Sequence, residues 1–346
     1  QRNLDDNKMS YQNTELFKKL QKATPFSTSE LELLIRTAPT RYKDHFIEKR
    51  NNRGKRTISQ PTRELKFLQW TLIEILSQLL IVHPAATAYT TGKSIKDHAS
   101  PHAKNRYLLK LDFRNFFPSI DSITLTHCLK KAGISNDGEI EICLAILCRH
   151  DKNTRSKRGP LRLSIGAPSS PKISNFVMHE FDEILSEFCE RKDIKYTRYA
   201  DDIALSCSTP KLLDEAHLFV KKTLRNLNYL NLFLNGKKTV NVSTKNRRSL
   251  VGIVLANDGS ASIGRDRKRT IRETLYRASK GLLSIADLNR LRGQLAYYNS
   301  IDSDFVTNLL EKYDIRSPAK IDYPVIDKKT HNHSINKLPT NIDDDL

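Results

Sequence analysis

Two adjacent carboxylates, Asp201 and Asp202, lie in the run Arg198-Tyr199-Ala200-Asp201-Asp202, 89 positions after an isolated acid, Asp112, in Leu109-Lys110-Leu111-Asp112-Phe113. Apolar Ile203, Leu205 and Cys207 alternate with smaller or polar Ala204 and Ser206. Ile194 to Tyr199 and Ile203 to Cys207 therefore read as two strands joined by a tight turn, with the acid pair at its tip. Neighbouring residues on a strand face opposite sides, so a turn is what keeps both acids at one solvent-open site. A strand interior would bury one of them without a partner, at a cost of several kcal/mol. Asp112 ends a strand that begins near Tyr107 and can supply a third set of oxygens. Such hard ligands suit magnesium, which keeps several waters and is usually completed by substrate phosphates. In two-metal phosphoryl transfer, ions about 3.5 to 4 Å apart stabilise both the attacking and the leaving oxygen. Taken without its neighbours, Asp112 or the Asp201-Asp202 pair is better explained as the cap of a turn or strand end.

The elements that must hold these acids follow from pattern. Ser122 to Ala132 and Asp137 to Leu147 read as helices, and Val177, Phe181, Ile184, Leu185 and Phe188 repeat at helical spacing behind Pro171 and Ser174-Asn175. A further amphipathic helix with Leu213, Ala216, Val220, Leu224 and Leu227 follows the acid hairpin. Strand, helix, hairpin, helix, strand is the order of a ferredoxin-like α+β unit. Ahead of it, Ser27-Thr28-Ser29-Glu30 signals a helix start. Phe46-Ile47-Glu48-Lys49 and Arg56-Thr57-Ile58-Ser59 read as a hairpin with the basic turn Asn51-Asn52-Arg53-Gly54, a loop able to fold over a triphosphate. Trp70 to Val82 reads as an amphipathic core helix, and His150 to Gly159 as an exposed basic loop. Helices are expected near Ile271 to Ser279, Ile285 to Asn299 and Asp304 to Tyr313. From Ser317 onward apolar periodicity fades, as in a flexible tail.

Composition narrows the partners. Lys and Arg outnumber Asp and Glu by 58 to 39, a formal charge of +19 over 346 residues, which points to a polyanion. The apolar stretches are too short or too interrupted for a membrane span, and no signal segment is evident. Five cysteines, Cys128, Cys143, Cys148, Cys189 and Cys207, form no Cys-x-x-Cys pair. That argues against a disulfide framework or structural zinc and makes a reducing cytoplasm the default location. His98 and His102, four apart, can share a helix face, but no Glu follows His98 as a zinc protease requires, which leaves a structural or RNA-facing role.

Three blocks, in order and spacing, resemble the reverse transcriptase family. They are Asp112-Phe113-Arg114-Asn115-Phe116-Phe117-Pro118-Ser119, the block Gly166-Ala167-Pro168-Ser169-Ser170-Pro171-Lys172-Ile173-Ser174-Asn175, which is similar to the family's template and nucleotide-binding turn, and Tyr199-Ala200-Asp201-Asp202, which matches the family's Tyr-x-Asp-Asp hairpin. Arg53 to Lys66 is similar to the fingers segment, Leu234-Asn235-Gly236-Lys237-Lys238-Thr239 to the lysine block after the hairpin, and Leu250-Val251-Gly252-Ile253 to the primer-grip strand. Within the family the likeness is to bacterial retron enzymes. His98-Ala99-Ser100-Pro101-His102 resembles the Asn-Ala-x-x-His signature with His98 in place of Asn, and Val251-Gly252 resembles Val-Thr-Gly without the Thr. Ile165 stands where the family often has Gln.

The resemblance implies an RNA-directed DNA polymerase of right-hand architecture, with fingers, a ferredoxin-like palm and a helical thumb. The expected divisions are 1–45 as a helical extension, 46–258 as interleaved fingers and palm, 259–316 as thumb and 317–346 as tail. It implies that Asp112 and Asp201 hold two magnesium ions, with manganese as an alternative, that Asp202 supports the site and that the Phe113 carbonyl adds a ligand. Arg56, Arg63, Gly166, Ala167 and Lys238 would meet the nucleotide, with Lys237 as a neighbour that spacing does not exclude. Phe117 would close the space of a ribose 2′-hydroxyl and select deoxynucleotides. His98, His102, Val251 and Gly252 would meet RNA. The implied partners are a structured noncoding RNA that serves as template and primer, its branched RNA–DNA product (msDNA), dNTPs, and an effector protein in antiphage defence. A group II intron or diversity-generating enzyme, and a noncatalytic nucleic-acid scaffold, are the alternatives.

Overall fold

The computed structural model describes residues 11–48, 54–150, 159–316 and 318–320. The basic turn of the expected hairpin, apart from Gly54, and most of the expected loop between His150 and Gly159 lie outside these residues, as does nearly all of the expected tail. The chain divides into two compact units. One comprises the residues up to Ser94 together with Arg106–Val242; the other comprises Ile95–Asn105 and the chain from Ser243 onward.

In the first unit, the opening helices Glu15–Ala23 and Thr28–Thr37 pack through Leu16, Phe17, Leu20, Leu31, Leu34 and Ile35 into the main core. Ser27 and Glu30 form the reciprocal cap that their spacing announces. Strands β1 (Tyr42–Glu48) and β2 (Lys55–Pro61) pair antiparallel as the expected hairpin. The helix after them starts earlier than the apolar run suggests, at Arg63 with Thr62 as its cap, and it ends at Ile75. Its Leu65, Leu68 and Leu72 are buried, but Trp70 is 59% exposed, so this helix is not buried on all sides.

The central sheet contains β3 (Tyr107–Asp112), β4 (Lys195–Tyr199), β5 (Asp202–Cys207) and β6 (Val240–Ser243), in the spatial order β4-β5-β3-β6. With helices between β3 and β4 and the helix Leu212–Asn226 between β5 and β6, this is the expected ferredoxin-like pattern. The two central strands, β3 and β5, are the ones that carry acids at their ends. The helix expected through Val177 to Phe188 is two helices, Ser170–Val177 and His179–Arg191, separated at Met178. Phe176, Val177, Phe181, Leu185 and Phe188 are nonetheless all buried, so the apolar face stays on the core through the break.

In the second unit, β7 (Arg248–Leu250), β8 (Ile253–Leu255) and β9 (Ala261–Ser262) form a small antiparallel sheet. Helices Arg265–Ser279, Ile285–Asn299 and Ser303–Glu311 follow at the positions expected from pattern and bury Ile271, Leu275, Leu288, Leu291, Leu295, Val306 and Leu309. Lys268 and Arg272 approach the Phe305 ring, with Lys268 also on Asp302 at 2.8 Å. Among the described residues, no helix is long and apolar enough to cross a membrane.

Candidate active site

The register of the central sheet brings the acids together. Asp112, the last residue of β3, is the cross-strand partner of Asp202, the first residue of β5. Asp202 in turn pairs with Tyr199 across the β4–β5 hairpin. Ala200 adopts φ +55, a left-handed conformation that costs a non-glycine residue about 1–2 kcal/mol. That bend puts Asp201 in the turn, where its carbonyl accepts the Phe113 N–H at 3.1 Å. Three carboxylates, separated by most of a hundred residues, thus occupy adjoining backbone positions at one end of the sheet.

Asp112 is buried, whereas Asp201 and Asp202 are half-buried. Burial, followed by repulsion from Asp201 and Asp112, pushes the Asp202 carboxyl up to about 6. Asp201 is raised chiefly by burial and further by Asp112, with Lys238 and Arg56 opposing. The site therefore holds more negative charge than its burial favours, and its donors are all hard oxygens, which fits a divalent cation. Asp112 already has one cationic partner: Lys238 Nζ lies 2.6 Å from Oδ2. Among the described residues, no three His, Cys, Asp or Glu side chains are arranged closely enough to enclose an ion. The donor chemistry fits; an ion on Asp112 Oδ2 has to take the place of the lysine.

Lys238 reaches Asp112 because the chain before it is tied to β3. Phe113 and Leu234 form an antiparallel bridge, the Arg114 N–H donates to the Phe233 carbonyl at 2.9 Å, and the Asn235 N–H donates to the Asp112 carbonyl at 2.7 Å. The helical turn Gly236–Lys238 then directs Lys238, and not Lys237, onto the carboxylate. Asn235, which has no role in the reading of the sequence, also donates weakly to Asp112 Oδ1 at 3.4 Å.

Phe116 and Phe117 are not on a strand. Asn115, at φ +46, ends the extended chain, and Phe116–Ser119 forms one helical turn. Consecutive residues of a helix point about 100° apart. Phe116 is accordingly buried and stacks on Phe113, with ring centroids 5.7 Å apart, while Phe117 stays half-buried. Beside Phe117, at 6.5 Å between centroids, stands the exposed ring of Tyr89, whose hydroxyl is raised by burial and by Tyr199 and Asp201. Tyr89 was not legible as a site residue: nothing around it in sequence carries chemistry.

Gly166 has φ +111, and a Cβ there would lie 2.8 Å from Ile58 Cγ2 and 3.0 Å from the Ser59 carbonyl oxygen. This turn is held to β2 by the Ser59 N–H, which donates to the Ile165 carbonyl at 2.7 Å. The contact uses the backbone of Ile165, so it does not depend on the side chain found there. Ala167 is buried. Arg56 is exposed on β2 and its charge lowers the Asp201 carboxyl, whereas Arg63 is exposed at the first position of its helix.

The remaining candidates belong to the other unit. His98 and His102 are both buried, with ring centroids 6.2 Å apart, which accords with the structural option left open for them and removes their rings from solvent. Val251 and Gly252 do not continue a strand as the resemblance suggests. Both have positive φ, +42 and +88, and make the two-residue turn between β7 and β8, to which the Arg267 guanidinium donates at the Gly252 carbonyl.

A model of the family described as reverse transcriptase (RNA-dependent DNA polymerase) matches residues 47–255, a span that includes all three acids and Lys238. Among curated proteins of Escherichia coli, the Retron Ec83 reverse transcriptase is 40% identical over 295 residues, covering 85% of this chain and 93% of that protein. The Retron Ec86 reverse transcriptase is 31% identical over 85% of this chain and 89% of its own length. The Retron Ec73 reverse transcriptase is 32% identical over 75% and 83%.

Proposed function

Since the chain belongs to the retron reverse transcriptases, a group of RNA-directed DNA polymerases with the right-hand fold, we propose that it copies a cognate structured noncoding RNA into single-stranded DNA, yielding a branched RNA–DNA hybrid. The observation that carries this reading is the meeting of Asp112, Asp201 and Asp202 at one end of the central sheet, with Lys238 on Asp112. Its setting is an antiphage defence system in the cytoplasm, with dNTPs as substrates and an effector protein as partner.

In this reading Asp112, Asp201 and Asp202 hold two magnesium ions, with the Phe113 carbonyl as a further oxygen. The ions supply the positive charge that favours a primer alkoxide and a departing pyrophosphate. The protein's own groups do the rest. The Asp201 carbonyl, fixed by the Phe113 N–H, locks the acid turn to β3. Lys238, once released from Asp112, delivers a proton to the leaving phosphate. Arg56, whose charge already reaches Asp201, contacts the triphosphate from the fingers hairpin, with Arg63 beyond it. The Phe117 ring excludes a 2′-hydroxyl, and the bare backbone at Gly166 with the small Ala167 allows nucleotide and template to approach.

Primer extension by the purified protein, with Asp201→Asn as its control, tests the site. Extension should vanish in the variant while RNA binding persists, and retained extension would overturn the assignment. Sequencing of nucleic acid that copurifies with the protein tests the product: a discrete structured RNA joined to DNA is expected, and its absence would sink the retron-specific part.

A further inference from the structure

Arg198, directly ahead of Tyr199-Ala200-Asp201-Asp202, is entirely buried, as is its partner Asp182 on the helix His179–Arg191. The guanidinium makes a two-point bond to that carboxylate, Nε to Oδ1 at 2.8 Å and Nη2 to Oδ2 at 2.6 Å. The Tyr196 hydroxyl also donates to Oδ1, at 2.6 Å. The remaining nitrogen, Nη1, points elsewhere: it donates to the Ala200 carbonyl at 3.0 Å and to Asn175 Oδ1 at 3.1 Å. Ala200 is the residue in the left-handed conformation that sets Asp201 in the turn.

The same cluster reaches the segment ahead of Tyr89. The Asn175 amide donates to the Ala88 carbonyl at 2.7 Å, the Arg198 N–H donates to the Ala85 carbonyl at 2.9 Å, and the Thr87 N–H and hydroxyl both donate to the Arg198 carbonyl. Residues 85–88, which lead to the ring beside Phe117, are thereby tied to β4, the strand that runs into the acid turn.

A buried ion pair is a poor device for stability, because desolvation offsets most of its attraction and well-packed apolar residues often serve as well. Apolar residues cannot, however, donate to the Ala200 carbonyl. A strained backbone conformation persists only where its surroundings over-determine it. We propose that Arg198, neutralised by Asp182, is a positioning residue for catalysis: it holds Ala200 in the bend that presents Asp201 and Asp202, and through Asn175 it sets the segment bearing Tyr89. Lysine does not substitute, since a single ammonium lacks the planar fork needed to serve Asp182, Asn175 and Ala200 together. This inference rests on the reading of Asp201 and Asp202 as the catalytic carboxylates.

Single-nucleotide primer extension and thermal unfolding of Arg198→Lys and of the double variant Arg198→Met/Asp182→Leu test it. A misplacement of ~1 Å lowers a rate by about 100-fold, so kcat should fall by that order in both, with the nucleotide KM and RNA affinity of the wild type. The double variant, relieved of buried charge but leaving the Tyr196 hydroxyl without its acceptor, should unfold only modestly below the wild-type temperature and still be slow. A kcat that returns with stability in the double variant would overturn the proposal, as would a wild-type kcat in Arg198→Lys should the double variant fail to fold. Loss of activity in Asp201→Asn alongside full activity in the Arg198 variants removes only the positioning role. Activity in Asp201→Asn removes the reading beneath it.

Discussion

Lys238 holds its ammonium 2.6 Å from Asp112 Oδ2, pairing a largely exposed cation with a buried carboxylate. The pair is set by backbone as much as by charge, because the Asn235 N–H and the Asp112 carbonyl join the lysine turn to the end of β3. Consecutive residues in a 3₁₀ turn point about a third of a turn apart, so Lys237 and Lys238 cannot serve the same carboxylate interchangeably.

Lys238→Met should therefore slow nucleotide addition sharply, by about 10²-fold if the lysine acts as the general acid, while Lys237→Met changes it little. Single-turnover extension with each variant measures this. Equal losses in the two variants would mean that the block acts only through its summed charge.

The two adjacent phenylalanines should separate cleanly. Phe117→Ala, at a half-buried ring beside Tyr89, should raise ribonucleotide incorporation without unfolding the protein. Phe116→Ala should instead lower stability by about 3–5 kcal/mol, because that ring is buried on Phe113. Competition between dNTP and rNTP, together with urea unfolding, reads both. An unchanged sugar preference in Phe117→Ala counts against the gate.

The acid hairpin is legible in the sequence because Ile203, Leu205 and Cys207 alternate with Ala204 and Ser206 directly after the acid pair. The helices also follow their apolar spacing, except at Met178, where no proline or glycine marks the break, and at the run Trp70 to Val82, whose helix starts at Arg63 and ends at Ile75. Phe116 and Phe117 part ways because a helical turn, which nothing in the sequence around them announces, sends one ring inward and leaves the other half-buried. What could not be read were contacts made across sequence distance. Arg198 on a strand looks like a solvent-facing cation, and only the fold brings Asp182 and Asn175 to it. Nor does anything near Tyr89 announce that its ring stands next to Phe117. Val251-Gly252, met as part of a strand, is a turn because both residues take positive φ.

Gly166→Ala should destabilise the protein by about 1–3 kcal/mol, the range for a residue forced into a forbidden backbone region. Its Cβ would strike Ile58, which can shift, and the Ser59 carbonyl, which is fixed by the strand. Ile58→Ala in the same background should consequently recover only part of the loss in urea unfolding. Full recovery would show that side-chain crowding alone makes glycine necessary.

Stability should fall as acid is added, through His98 and His102. Burial holds His98 down to about 4, and burial together with His98 holds His102 down to about 3, against about 6.5 for an imidazole in the unfolded chain. Below pH 6.5 the unfolded chain takes up protons that the folded chain refuses, so unfolding becomes progressively easier. The stability tied to neutral rings is thus complete above about pH 7 and is lost as pH drops toward 4. For His98 alone the loss is on the order of 3 kcal/mol over that window. Urea midpoints between pH 7.5 and pH 4.5 should decline steeply in the wild type and less so in His98→Gln and His102→Gln, whose side chains do not titrate. Matching slopes in wild type and variants would assign the acid sensitivity to other groups.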